Sequence, residues 1–298
     1  MPNHITNILR IVGPEDRVAR IKSEISGVWE DTHDSPRPID FDRIIPRPES
    51  LNIPSGSTTD NGIAILKYRD GDPSEIYNML KGGYTLGKGF DTPVDLIDHM
   101  IEKGLANLED AQKALDNEKL YGHRDWYSWS LEAWGTKWNA YDQEVSEDGD
   151  IKFETAWSTP EPVFVALSLK YPDVEIQVRF ADEDFGHNVG EFTYKNGECV
   201  YSNVPDGGSE EAYEMAADIM DDWDYIKDRC MEIEAETIDE LEEYELHMIH
   251  LLLNKGIIDG YPTVVLEYMK KVAIDEELYE IAQVIKETTP IDAEDSED

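Results

Sequence analysis

The chain has 298 residues, with 66 acidic side chains against 26 basic ones and a formal net charge of −40. Its 40% apolar content, with seven Trp and fifteen Tyr, is enough for packed cores, so the acidity is not that of a disordered tail. A surface this negative repels nucleic acid and anionic membrane and excludes both as direct partners.

Ile5 to Val12 alternates apolar and polar residues and meets Gly13-Pro14, which predicts a strand running into a helix. Pro14 suits the first helical position, Glu15 and Asp16 complement the positive helix end, and Val18, Ile21, Ile25 and Val28 form one stripe. Residues 30–60 are rich in Pro, Ser and Asp. Helices are expected at 73–82, 92–104 and 107–120, then a short aromatic one carrying Trp126, Trp129, Leu131 and Trp134. After Gly135 the period changes to two. Residues 138–145 and 151–157 read as a hairpin turning at Glu147-Asp148-Gly149-Asp150. Thr159-Pro160-Glu161-Pro162 opens a helix, 174–180 is the next strand, and 189–194 with 199–204 form a last hairpin.

With residues 30–135 set aside as a helical insertion, the order is β–α–β–β–α–β. The expected fold class is therefore α+β, a ferredoxin-like split βαβ sheet. Pro205-Asp206-Gly207-Gly208 is the best break in the chain, which divides it into a domain over 1–205 and an acidic helical domain over 206–290. That second part reads as an antiparallel bundle. One helix runs from Ser209 through Ile233, a second starts at the Thr237/Glu240 capping pair, a third at Pro262 and a fourth at Asp275. Residues 291–298 are expected to fray.

The charge is not evenly spread. Residues 1–100 carry 16 acids and 11 bases, residues 101–200 carry 21 and 9, and residues 201–298 carry 29 and 6. The candidate partner-binding face is accordingly the tail set Glu210, Glu211, Glu214, Asp218, Asp221, Asp222, Asp224, Asp228, Glu232, Glu236, Asp239, Glu240 and Glu243. Residues 206–245 hold 17 acids and 2 bases. As one straight helix at ~1.5 Å per residue, this is about one net charge per 4 Å, against one per ~1.7 Å in duplex DNA. One helix is too dilute to imitate DNA, so several acidic faces are required.

The segments Met1 to Asn7, Phe41 to Leu51, Trp134-Gly135-Thr136-Lys137-Trp138-Asn139-Ala140-Tyr141-Asp142, Thr155 to Pro160 and Ala181 to Gly186 together resemble the YubB-like family of phage and plasmid proteins. The resemblance covers about residues 1–205. It implies a ferredoxin-like domain, a mobile-element origin and a host-cytoplasmic setting, and it carries no catalytic residues.

Other clusters have ordinary readings. Trp126, Trp129, Trp134 and Trp138 are a candidate aromatic patch, but with only Arg124 and Lys137 nearby they lack the basic groove of single-strand binders, and core packing is the better reading. Asp182-Glu183-Asp184 with His187 and Asn188 lacks calcium-loop spacing, and Glu243, His247 and His250 are not an H-E-x-x-H motif. His123 with Asp125 is a weak acid–base pair, and Gly87-Lys88-Gly89 lacks the rest of a phosphate loop. The polar start at Pro2-Asn3-His4 carries no apolar signal region, and the strongest apolar run, Met248 to Leu253, is too short for a bilayer. Cys199 and Cys230 cannot build an iron–sulfur cluster or an all-Cys zinc site and are expected to be reduced.

The sequence thus points to a cytoplasmic binding protein with no cofactor and no catalytic motif. The expected partner is a basic host protein such as a nucleic-acid-binding or defence enzyme, inhibited by mimicry. The alternative is an interaction or structural accessory protein whose charge serves solubility only.

Overall fold

The computed structural model describes residues 3–28, 36–83, 87, 89–258, 260–276, 278, 281–282 and 284–285. Its strands in chain order are β1 (His4–Val12), β2 (Gly27–Val28), β3 (Pro36–Arg37), β4 (Tyr141–Val145), β5 (Ile151–Ala156), β6 (Glu175–Asp182), β7 (Val189–Lys195) and β8 (Glu198–Asn203). Its longer helices are α1 (Glu15–Ile25), α2 (Ser57–Arg69), α3 (Ser74–Asn78), α4 (Pro93–Glu102), α5 (Leu108–Tyr121), α6 (Trp126–Ala133), α7 (Glu161–Lys170), α8 (Glu210–Met220), α9 (Trp223–Met231), α10 (Glu243–Asn254) and α11 (Thr263–Asp275). The chain divides into two compact units. Met1–Ser23, Tyr141–Thr159 and Leu167–Asp298 make the first, and Glu24–Ala140 with Pro160–Ala166 make the second.

The first unit is built on a six-stranded sheet in the order β4-β5-β1-β6-β7-β8, with every neighbouring pair antiparallel. The first four positions are those of the ferredoxin-like split βαβ, and the hairpin β7–β8 extends them. β1 is central because it is apolar enough to be covered: Ile5, Asn7, Leu9 and Ile11 are buried, and Phe153, Ile176, Val178 and Phe180 lie in register on the same face. Asn7, the polar member of that row, is fully bonded. Its amide donates to Ile5 O and Thr155 Oγ1 at 2.9 Å, while its Oδ1 accepts from Thr159 Oγ1 at 2.7 Å. Thr155 in turn donates to Ser158 O at 2.8 Å. A buried amide left without these partners would be costly, so the four residues act as one unit.

The opposite sheet face carries Thr6, Ile8 and Arg10 of β1, Lys152 and Glu154 of β5, Gln177, Arg179 and Ala181 of β6, and Val189, Glu191 and Thr193 of β7. α8 lies against β6, β7 and β1 on this unit. Ala181, Phe185 and Val189 share one core with Ala212, Tyr213 and Ala216 of α8 and with Ile226, Ile249, Leu252 and Val265 of the following helices. The break expected at Pro205–Gly208 therefore does not separate two cores. The helical segment after it supplies the apolar cover for a sheet face that would otherwise be wet.

Gly186 fixes how closely this cover sits. It adopts φ +77°, and a Cβ there would collide with the Tyr213 ring. Phe185 stacks on Tyr225 with centroids 4.2 Å apart.

The helical tail differs from expectation in its joints. The long helix expected from Ser209 is two helices, because Asp221 takes a left-handed conformation (φ 57°) and Asp222 caps a new start by accepting from Tyr225 N. The capping box lies at Glu242 and Glu245, and Thr237 opens only a short 3₁₀ turn. α11 begins after Pro262 as expected. The fourth tail helix is only partly within the described residues, and residues 291–298 lie outside them.

The second unit holds α2 to α6. Its core includes Ala64, Ile65, Ile76, Leu96 and Met100 in one cluster and Ile53, Ile63, Ala111 and Ala114 in another. The Phe41–Ile45 turn is bound to the segment after α6. Trp134 Nε1 donates to Ile45 O at 3.0 Å, Phe41 N donates to Asn139 Oδ1 at 2.9 Å, and Asn139 Nδ2 donates to Asp40 Oδ1 at 2.8 Å. Gly135 has φ +75°, and a Cβ there would meet Pro162 Cδ at 2.7 Å.

Candidate functional site

The acidic side chains of the tail follow from how its helices are packed. α8 to α10 bury one stripe each, and the acids occupy the remaining positions. Glu211, Asp218, Asp221, Asp222, Asp224, Asp228, Glu232, Glu236, Asp239, Glu240 and Glu243 are exposed, while Glu210 and Glu214 are half-buried. Cations neutralise few of them. Glu214 pairs with Lys255 (3.3 Å), Asp224 with Lys227 (2.7 Å), Glu232 with Arg229 (3.4 Å) and Glu210 with His250 (2.8 Å). Asp218 accepts from Trp223 Nε1 at 3.0 Å, and Glu211 accepts from Asn203. Among the described residues, Asp221, Asp228, Glu236, Asp239 and Glu243 have no ion pair. This is a solvated acidic surface, and most of its charge has no ion-pair partner among the described residues.

The aromatic group is not one patch. Trp134 is 1% exposed and Trp129 is buried, and they meet edge to face at 5.3 Å, with Phe41 on the other side of Trp134. Trp126 is half-buried against Tyr127, and Trp138 is 37% exposed with Lys137 Nζ 4.5 Å from its ring centroid. A stacking platform over the four rings is thereby excluded: two of them are core.

The smaller clusters are structural. Asp182, 5% exposed, accepts from Asn3 and Asn188 at 2.8 Å and from Asp184 N at 2.9 Å, so its oxygens organise the turn after β6. His247 and His250 do not converge with Glu243. His247 Nδ1 bonds Gly208 O, and His250 lies between Glu210 and Glu276, the latter at 3.3 Å. Burial opposes protonation of His250, but the Glu210 hydrogen bond and the charges of Glu210 and Glu276 outweigh it and raise its pKa. Asp125 caps α6 through Tyr127 N and Ser128 N, while His123 faces Glu132 at 3.3 Å. Among the described residues, no group of three or more His, Cys, Asp and Glu is arranged to hold a metal ion. Lys88 lies outside the described residues.

Sequence reasoning missed the open end of the second sheet face. There, Ile8, Arg10, Glu144, Lys152, Arg179, Glu191 and Tyr201 line a concavity of about 600 Å³. The outward parity of Arg10, Lys152 and Arg179 along their strands was a readable signal, but the pairing that brings them together was not. Among the described residues, no helix is long and apolar enough to cross a membrane.

The sheet order and the antiparallel pairing define an α+β chain of the ferredoxin-like class. More particularly, residues 133–222 match a family model described as the ferredoxin-like domain in Api92-like protein, a span that runs from the end of α6 through α8. Among solved structures, the crystal structure of a protein api92 from Yersinia pseudotuberculosis is similar, with 12% identity, coverage of 69% of this chain and 98% of that one, and a TM-score of 0.34. No curated protein matches the chain.

Proposed function

We propose that this chain is a non-catalytic binding protein of phage or plasmid origin, acting in the host cytoplasm, whose acidic helical face occupies the basic groove of a nucleic-acid-handling or defence enzyme. The observation that carries the reading is the exposed and largely unpaired acid set on α8 to α10 and the turn between them. A charge surplus of this kind attracts a basic surface at long range and is weakened by salt. The turn at Asp221–Asp222 also bears on the dilution problem, because it breaks a single line of charge into separate helices. The family-like residues Asn7, Thr155, Trp134, Asn139 and Gly186 all hold the fold together, which accords with a domain that names no reaction.

The test is affinity capture from host extract at low and moderate salt, comparing the full chain with a variant carrying Asp228→Asn, Glu236→Gln, Asp239→Asn and Glu243→Gln. These four acids are exposed and unpaired, so the substitutions spare the core that a truncation would break. Captured basic proteins should be lost from the variant by about tenfold or more and displaced by duplex DNA. Equal capture by both chains at either salt would leave the solubility reading in its place.

A further inference from the structure

The second face of the six-stranded sheet is only half covered. α8 lies over the end that carries Ala181 and Val189, and the other end is the 600 Å³ concavity. The floor of that concavity is a single cross-strand row. Lys152 of β5, Ile8 of β1, Arg179 of β6 and Glu191 of β7 are register partners in succession, and Glu144 of β4 pairs with Lys152 beyond them. At ~4.8 Å per strand, the Lys152 and Arg179 backbones stand about 10 Å apart with the Ile8 side chain between them.

Three cations face this space, and they are not equivalent. Arg10 is committed to Asp150 as a fork, with Nε and Nη2 at 2.9 and 2.6 Å from its oxygens. Lys152 Nζ is 3.9 Å from Glu144. Glu191, directly opposite Arg179, accepts from Tyr201 OH at 2.8 Å. Arg179 itself is half-buried, and among the described residues its guanidinium has neither a hydrogen bond nor an ion pair. In a chain with 66 acids and 26 bases, a partly desolvated guanidinium without a carboxylate stands out.

We propose that Arg179 is the anchor of a binding site for a small zwitterion of the α-amino acid type. The carboxylate lies in the fork of Arg179, the side chain rests on Ile8, and the ammonium group faces the rim acids Glu144 and Asp148. The volume falls within the ~300–1,000 Å³ range of small-ligand pockets. A planar carboxylate is the group that a guanidinium holds bidentately. The charge balance selects the zwitterion over a simple anion. The lining carries four acids, Glu144, Asp148, Asp150 and Glu191, against three bases, and the whole chain is strongly negative. Phosphate or a dicarboxylate approaches against that field, whereas a molecule without net charge does not. This site is independent of the acidic helical face.

The experiment is calorimetric titration of the full chain with a panel of free amino acids from glycine to phenylalanine, with acetate, ethylamine and inorganic phosphate as single-charge probes. Saturable binding of at least one amino acid is expected, about tenfold or more tighter than acetate, ethylamine or phosphate. Arg179→Gln should weaken that binding about tenfold or more, and Arg179→Lys should weaken it less. The neighbouring outward position on β6 is already Gln177, so the strand accepts this side chain. Asp148→Asn, on an exposed turn, provides a second variant that leaves the sheet untouched and should weaken the amino acid but not acetate. The proposal is overturned if no amino acid binds saturably, if Arg179→Gln binds as well as the parent, or if phosphate or acetate binds as tightly as the amino acid.

Discussion

One face of one sheet holds two kinds of surface. Where α8 lies over it, the outward positions of β6 and β7 are Ala181 and Val189, and they join Tyr213 and Ala216 in a shared core. Two residues further along the same strands, the outward positions are Arg179 and Glu191, at the floor of an open concavity. The backbone geometry is the same in both places, so strand parity alone does not decide whether a face is core or solvent. Coverage decides it, and coverage comes from a helix far along the chain. The covered half depends on packing energy, whereas the open half depends on charges that water screens.

Substitutions should separate the two halves by size of effect. Phe185→Ala removes the ring between Tyr213 and Tyr225 and should cost about 3–5 kcal/mol. Denaturant unfolding measures the loss, and hydrogen exchange should show α8 and α9 opening first. An intermediate effect is expected from His250, which ties α10 to Glu210 of α8 and to Glu276 after α11, close to Tyr268. Its pKa is raised in the folded chain, so its stabilisation is complete below the unfolded value of about 6.5 and is lost as pH rises through the folded value. Melting temperature should therefore fall across that window in the parent and fall less in His250→Gln. The smallest effect belongs to the open half. Arg10→Gln removes an ion pair whose arginine is largely exposed and should cost under about 1 kcal/mol by the same denaturant measurement. A loss as large as that of Phe185→Ala would erase the distinction between the halves.

The β–α–β–β–α–β order was legible because β1, β5 and most of β6 alternate and each helix has a marked start, Pro14 and Thr159-Pro160 among them. α2 was not legible. Besides Thr59, its buried residues are the consecutive run Asn61 to Ile65 rather than positions spaced by helical turns, since Gly62 lets α5 approach closely: a Cβ there would meet Asn107 O. The turn between α8 and α9 was hidden for the opposite reason. Met215, Ile219, Trp223 and Ile226 keep helical spacing straight across a left-handed Asp221. The acids of the candidate face were readable as a composition, but their freedom from cations was not, because Lys255 reaches Glu214 from 41 positions away. Arg179 escaped notice because an unpaired charge is visible only once its neighbours are placed.

The two cysteines turn the packing of the tail into a chemical clock. Cys199 is exposed on β8, while Cys230 is buried in α9 and its thiol is pushed up to about 12 by desolvation. A thiolate-selective reagent will therefore modify Cys199 at once and Cys230 only when α9 lifts away. The delay between the first and second label on a single molecule records how often that helix opens.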